Sequence, residues 1–214
     1  MRGLLVTFEG VEGSGKTTQA ARLVESLKRE SLPVTSVREP GGTVLGEKVR
    51  EILLSVEHHD MAAWAEASLY TAARAQLLKE VIIPRLARGD IVVADRFVDS
   101  TFAYQGAGRG LEMNVLMAMQ MVLKVKPDLT LLLDLPAEAG LRRQAGESDH
   151  QPDRLEQEDI SFHTRVREGY LDFATRDPER YHVIDASADS DAVAAEALSA
   201  TLVRASAKGI RKAS

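Results

Sequence analysis

A chain of 214 residues that is 44% hydrophobic and 28% charged has enough apolar content to bury one substantial core, and is expected to form a single soluble domain. Its net charge of -5 speaks against a general nucleic-acid binder but leaves room for a local basic pocket around a small anion. The absence of cysteine excludes disulfides, thiolate catalysis and cysteine-ligated zinc.

The first apolar run, Leu4–Phe8, has strand length. The N-terminus opens like an export signal, but Glu9 interrupts it before an apolar stretch develops, and no apolar run is long enough to cross a bilayer. A cytoplasmic protein without membrane contact is expected. Directly after the strand, Gly10-Val11-Glu12-Gly13-Ser14-Gly15-Lys16-Thr17-Thr18 fits G-x-x-x-x-G-K-[ST] at every fixed position, and a helical pattern over Lys16–Arg29 follows it. Glycines let successive N–H groups turn inward, and the helix N-terminus adds its positive dipole end. Lys16 would supply a mobile cation for the β- and γ-phosphates, and the Thr17 hydroxyl a ligand for Mg²⁺. Glu12 is the misfit, because a carboxylate pointing into an anion cradle would repel the ligand.

Further strands are predicted at Val34–Val37, Ile91–Ala94, Leu129–Leu133 and Tyr181–Ile184, and helices at Ala62–Leu86, Glu112–Lys124, Glu156–Thr175 and Asp191–Val203. Strands alternating with helices imply a parallel sheet covered on both faces. Two loops stand out: Arg38–Gly46, with Pro40-Gly41-Gly42 at its centre, and the polar Ala145–Asp153. The second reads either as a solvated connection or as a loop closing over a ligand. Asp95-Arg96 ends a buried strand, where an acid positions Mg²⁺ through water and an arginine lies over phosphates. Met113, Met117 and Met121 recur every four residues, for which core packing is the default reading. His58 and His59 adjoin Asp60 without further ligand spacing and read as solvated, while His150 lies in the second polar loop, where it could tune closure with pH.

Glu12 in the phosphate loop, Arg38-Glu39-Pro40-Gly41-Gly42, Leu69-Tyr70 with Arg74 and Gln76, and Asp95-Arg96-Phe97 followed by Ser100 and Tyr104-Gln105-Gly106 together resemble the bacterial thymidylate kinases. The resemblance implies a three-layer P-loop kinase fold with a five-stranded parallel sheet, a mobile lid over about residues 142–154, and a homodimer. It implies phosphoryl transfer from ATP to dTMP in dTTP synthesis, in a single domain over residues 1–207 with a flexible basic tail at 208–214. It assigns Gly10 to Thr18 to ATP, and Glu12, Arg38, Glu39, Arg50, Tyr70, Arg74, Arg96, Thr101, Tyr104 and Gln105 to dTMP. Tyr70 would stack on thymine, Arg74 would bond the base edge, and Tyr104 would crowd a 2′-hydroxyl. Glu12 would turn away from ATP toward the sugar 3′-hydroxyl or a water beside the acceptor phosphate.

In such kinases a catalytic arginine comes from the phosphate loop or from the lid. Val11, Glu12, Gly13 and Ser14 include none, so the resemblance implies the lid type, with Arg143 and Arg154 ahead of Arg142 as partners of Lys16 and Arg96. The lid departs from many bacterial relatives in carrying acids where further arginines are expected. A deoxynucleoside kinase, using Glu12 or Glu39 as base, and a nucleotide-binding switch are the competing readings. The absence of Asn-Lys-x-Asp weighs against the switch.

Overall fold

The computed structural model describes residues 2–146 and 151–211. Five strands, Leu4–Glu9 (β1), Val34–Arg38 (β2), Ile91–Asp95 (β3), Leu129–Asp134 (β4) and Tyr181–Asp185 (β5), form one parallel sheet in the order β2-β3-β1-β4-β5. This is the expected three-layer α/β architecture. Successive side chains of a strand point to opposite faces. Leu4, Val6 and Phe8 of β1 accordingly join Leu23, Leu27 and Val193 in the larger core, while Leu5 packs with Val92, Ala94, Leu77, Ile82 and Leu86 in a second one.

The helices are Lys16–Arg29 (α1), Val44–Leu54 (α2), Ala63–Leu77 (α3), Ile83–Arg88 (α4), Val98–Thr101 (α5), Met113–Met121 (α6), Ala137–Ala145 (α7), Ile160–Arg176 (α8) and Ser190–Ala207 (α9). The helix expected over Ala62–Leu86 runs as α3, a π-helical segment Leu78–Ile82, and α4. Pro84, with no N–H to return to the preceding turn, follows that widened stretch. The sequence gives no warning of α2, because Pro40-Gly41-Gly42 masks its start. Its cap is Thr43, whose Oγ1 accepts the Gly46 N–H at 2.9 Å. A second π-helical segment, Phe102–Gly108, continues α5.

Of the methionine stripe only Met113 packs inward, half-buried against Gly106. On α6 the buried side chains are Leu116 and Gln120, whereas Met117 and Met121, each one residue on and so rotated by about 100°, are 51% and 76% exposed. Beyond α9, Lys208 pairs with Asp128 and donates to the Gly3 carbonyl. The rest of the expected tail, residues 212–214, and lid residues 147–150 with His150 lie outside the described residues.

The start of α7 touches the phosphate loop through backbone alone. A Cβ on Gly140 would stand 2.1 Å from the Glu12 carbonyl oxygen, and one on Gly13 (φ +67°) 2.0 Å from the Gly140 carbonyl oxygen. Neither neighbour is a side chain that can swing aside. Gly140→Ala is therefore expected to destabilise the fold by about 1–3 kcal/mol, read as a lower urea midpoint at unchanged m-value.

Candidate active site

β1, β2 and β3 end level with one another, because Phe8 and Arg38 both stand opposite Asp95 in the sheet register. The segments that leave them meet at this edge, where open α/β sheets bind ligands. They wall a cleft of about 500 Å³ lined by Glu12, Gly13, Gly15, Lys16, Thr17, Thr18, Arg38, Glu39, Arg50, Tyr70, Asp95, Arg96, Tyr104 and Gln105. Residues at four separated stretches of sequence are thus brought to one place.

One half of the cleft is an anion cradle. Helix α1 starts at Lys16 behind Gly15 (φ +89°), with no side-chain cap and no acid in its first turn. Its orphan N–H groups and dipole end are left for a ligand. Lys16 is buried, and its ammonium donates to the Val11 carbonyl at 2.6 Å and to Ser14 Oγ at 3.3 Å. Burial and the nearby Arg96 push its pKa down to about 8 against the pull of Glu12, Asp95 and Glu9. Thr17 Oγ1 donates to Asp95 Oδ2 at 2.6 Å, so a hydroxyl and a carboxylate sit together beside the cradle.

The other half is organised by Arg96. Its backbone is left-handed (φ +68°), a region that non-glycine residues rarely occupy and that clusters at functional sites. The end of β1 holds it there. The Arg96 N–H donates to the Phe8 carbonyl at 3.0 Å, and the Phe97 N–H donates to Glu9 Oε1 at 2.8 Å. The Arg96 guanidinium donates to both Glu12 oxygens, at 2.7 and 2.6 Å, and to the Tyr104 hydroxyl at 3.1 Å. Tyr104 in turn donates to Glu12 Oε1 at 2.7 Å. Burial alone would raise the Glu12 carboxyl, but Arg96, Lys16 and the tyrosine hydroxyl outweigh it and bring it down to about 2. Glu12 thus faces across the cleft and not into the cradle.

Other expected residues lie outside the lining. Gly10, Val11 and Ser14 form the back of the loop. Arg74 is fully buried, donating from Nε to Glu39, from Nη1 to Gln120 at 2.8 Å, and from Nη2 to Thr101 Oγ1 at 2.9 Å, so Arg74 and Thr101 stand one layer behind the wall. Arg143, on the last turn of α7, donates to the Ala186 carbonyl beyond β5 at 2.9 Å. Arg154 is 4% exposed; it is paired with Glu66 at 2.6 Å and bonded to the Leu53 carbonyl. Ser100, Gln144, Asp153, Leu155 and Glu156 also line the cleft. None of these is among the expected site residues: Ser100 belongs to the motif that follows Asp95-Arg96-Phe97 and Gln144 and Asp153 to the expected lid, but no role attaches to them from the sequence, and Leu155 and Glu156 belong to no spaced motif. Glu9 was read only as an interruption of an apolar run. Being the lone acid at the end of a buried strand was the available signal of a structural role.

A P-loop beside a strand-end Asp-Arg pair, on a sheet of order 2-3-1-4-5, defines a P-loop phosphotransferase. The sequence profile of thymidylate kinase matches residues 8–197. The chain is 49% identical over 189 residues to a thymidylate kinase of Pelotomaculum thermopropionicum, covering 87% of both chains, and 49% identical over 199 residues to one of Deinococcus radiodurans, covering 91% and 94%. A crystal structure of thymidylate kinase from Ehrlichia chaffeensis superposes with a TM-score of 0.74 at 32% identity, covering 93% of this chain and 98% of that one. The chain belongs to the thymidylate kinase family.

Glu9 gives this site a pH signature. It is fully buried and accepts from Phe97 N–H, Ser100 Oγ at 2.6 Å and Tyr170 OH at 2.8 Å. Burial, followed by the charge of Asp99, raises its carboxyl from 4.5 to about 7 despite those bonds and Arg96. The folded state then binds the proton more tightly than the unfolded chain, so this contribution to stability is complete below about pH 4.5 and is lost as pH rises through about 7. The wild type is expected to lose denaturant resistance across that window and Glu9→Gln to show a flatter profile, measured by urea unfolding at stepped pH.

Proposed function

We infer that this chain transfers the γ-phosphate of ATP to dTMP, giving dTDP and ADP, through one domain spanning residues 1–207. The observation that carries the reading is the pairing, across one cleft, of an uncapped phosphate loop with the Arg96–Glu12–Tyr104 cluster. The loop N–H groups and Lys16 would hold the donor phosphates, Lys16 exchanging its Val11 carbonyl for phosphate oxygens. Arg96, with Arg38 and Arg50, would gather the acceptor phosphate. Tyr70 and Gln105 then flank the thymine, with Arg74 and Thr101 supporting them from behind. Glu12 keeps Arg96 aimed and offers an oxygen to the sugar 3′-hydroxyl, while Tyr104 closes the space a 2′-hydroxyl would need.

The acceptor oxygen is already nucleophilic, so catalysis rests on alignment and charge neutralisation. A deoxynucleoside kinase would need a carboxylate base at its acceptor hydroxyl. Glu12, held by Arg96 with a pKa of about 2, is too weak a base for that role, which favours the monophosphate acceptor. The Thr17 hydroxyl and Asp95 carboxylate are hard oxygens of the type Mg²⁺ accepts alongside water and substrate phosphates, Asp95 acting through water. Among the described residues no group of three or more His, Cys, Asp or Glu competes for a metal. Bound there with ATP, Mg²⁺ would neutralise charge on the β- and γ-phosphates.

Arg143 is the better candidate for the lid arginine. It is tied by one bond to a main-chain carbonyl, whereas Arg154 would have to abandon a buried carboxylate. The outward-facing apolar side chains Met117 and Met121 of α6, with Val122 just beyond its end, support a homodimer. Among the described residues no helix is long and apolar enough to cross a membrane.

ATP consumption measured with dTMP, dUMP, thymidine, AMP and no acceptor is expected to depend on dTMP; equal turnover with and without it refutes the reading. Glu12→Gln should raise the dTMP KM far more than the ATP KM, and Arg96→Ala should cost roughly 10³-fold in kcat. Arg143→Ala is expected to lower kcat at a nearly constant dTMP KM. Arg154→Ala should instead lower stability by about 1–3 kcal/mol, since Glu66 keeps Arg109 and Gln105, seen as a drop in Tm.

A further inference from the structure

Glu66 lies on α3 one helical turn before Tyr70 and is fully buried. Burial acts to raise its carboxyl, but Arg109, Gln105 and Arg154 hold it below the ordinary range, so it is an acceptor-only carboxylate. Its Oε1 accepts from Gln105 Nε2 at 2.7 Å and from Arg109 Nε at 3.0 Å. Its Oε2 accepts from Arg109 Nη2 at 3.1 Å and pairs with Arg154 Nη1 at 2.6 Å.

The bond to Gln105 decides which way that amide points. A primary amide has one acceptor and one NH₂, and a flip would set its oxygen at hydrogen-bond distance from a carboxylate oxygen, two acceptors facing each other with no proton between them. Gln105 lines the cleft, and with Nε2 committed to Glu66 it has its carbonyl oxygen left for the ligand. An acceptor at that place selects an N–H. Joined to its sugar through N1, thymine carries one N–H, at N3, as uracil does. Cytosine presents an acceptor at N3.

We propose that Glu66 is a positioning residue for base selection: it fixes the Gln105 amide with its carbonyl oxygen toward the cleft, so that the acceptor site requires an N–H at N3 of the pyrimidine. The proposal rests on the reading of this cleft as the dTMP site. A purely structural role, pinning Arg109 and Arg154, would change stability or slow all acceptors alike. A role in base selection changes one ratio and leaves another alone.

The test measures kcat/KM for dTMP, dUMP and dCMP at saturating ATP. In Glu66→Gln the amide at 105 loses its enforced orientation, and the dTMP-over-dCMP ratio is expected to fall about tenfold or more. The dTMP-over-dUMP ratio and the ATP KM are expected to stay unchanged. The exchanged pair, Glu66→Gln with Gln105→Glu, places an NH₂ at 66 and an acceptor at 105 again, and should recover the dTMP-over-dCMP preference. An unchanged ratio in folded Glu66→Gln, or an equal fall for all three acceptors, overturns the proposal. If Glu66→Gln does not fold, the dTMP complex of the unaltered chain decides: Gln105 must remain on Glu66 with its oxygen at N3, and a Gln105 that has left Glu66 refutes the role. A wild type that does not phosphorylate dTMP refutes the reading of the cleft itself, a result distinct from either.

Discussion

β1 and β3 are buried on both faces and paired in register, so they must end at the same level, with Phe8 opposite Asp95. Every functional contact follows from that alignment. It sets the phosphate loop beside the Asp-Arg strand end, lets Thr17 reach Asp95, and lets the Phe8 carbonyl and Glu9 carboxylate hold Arg96 in a backbone conformation it would not otherwise adopt. A parallel sheet slipped by one residue would turn those side chains to the opposite face. The apolar core thereby specifies the site as well as the stability.

The charges of the site are arranged as paired sets and not as a basic patch. In this acidic chain Lys16 and Arg96 are kept beside acids that hold them in place. Glu12 illustrates the arrangement. Inside a phosphate cradle it would repel an anion; turned outward onto Arg96 it fixes that guanidinium across the cleft. Arg74, Arg109, Arg154 and Arg180 are the cations that ordinary surface electrostatics would leave in water. Here they are sunk against Glu39, Glu66 and Asp99, where an ion pair is worth less for stability than for unique geometry.

Much of this was legible in the sequence, for identifiable reasons. All five strands were visible as runs of strand length; the central three, β1, β3 and β4, are plainest because a strand buried on both faces has little but apolar residues to be made of, whereas the edge strands β2 and β5 are partly exposed. The phosphate loop was visible because its chemistry demands fixed spacing. What stayed hidden depends on three-dimensional neighbours. Helix α2 was masked by the glycines before it, and the exposed methionines of α6 had the right spacing but the wrong phase. Arg74 and Tyr70 share a helix face, yet Tyr70 lines the cleft while Arg74 lies behind it, a distinction of depth that periodicity does not encode. Glu66 and Glu9 were invisible as functional residues because an isolated acid acquires meaning only from what closes around it.

Helix α1 begins without a side-chain cap. In most helices a serine, threonine or aspartate completes the first turn from within the chain. Here no side chain does so, and an anion bound at that end would become part of the helix it completes. A ligand completing that first turn would stabilise the folded state in proportion to its concentration by mass action, so the open helix end couples the stability of the fold to the supply of whatever anion fills it.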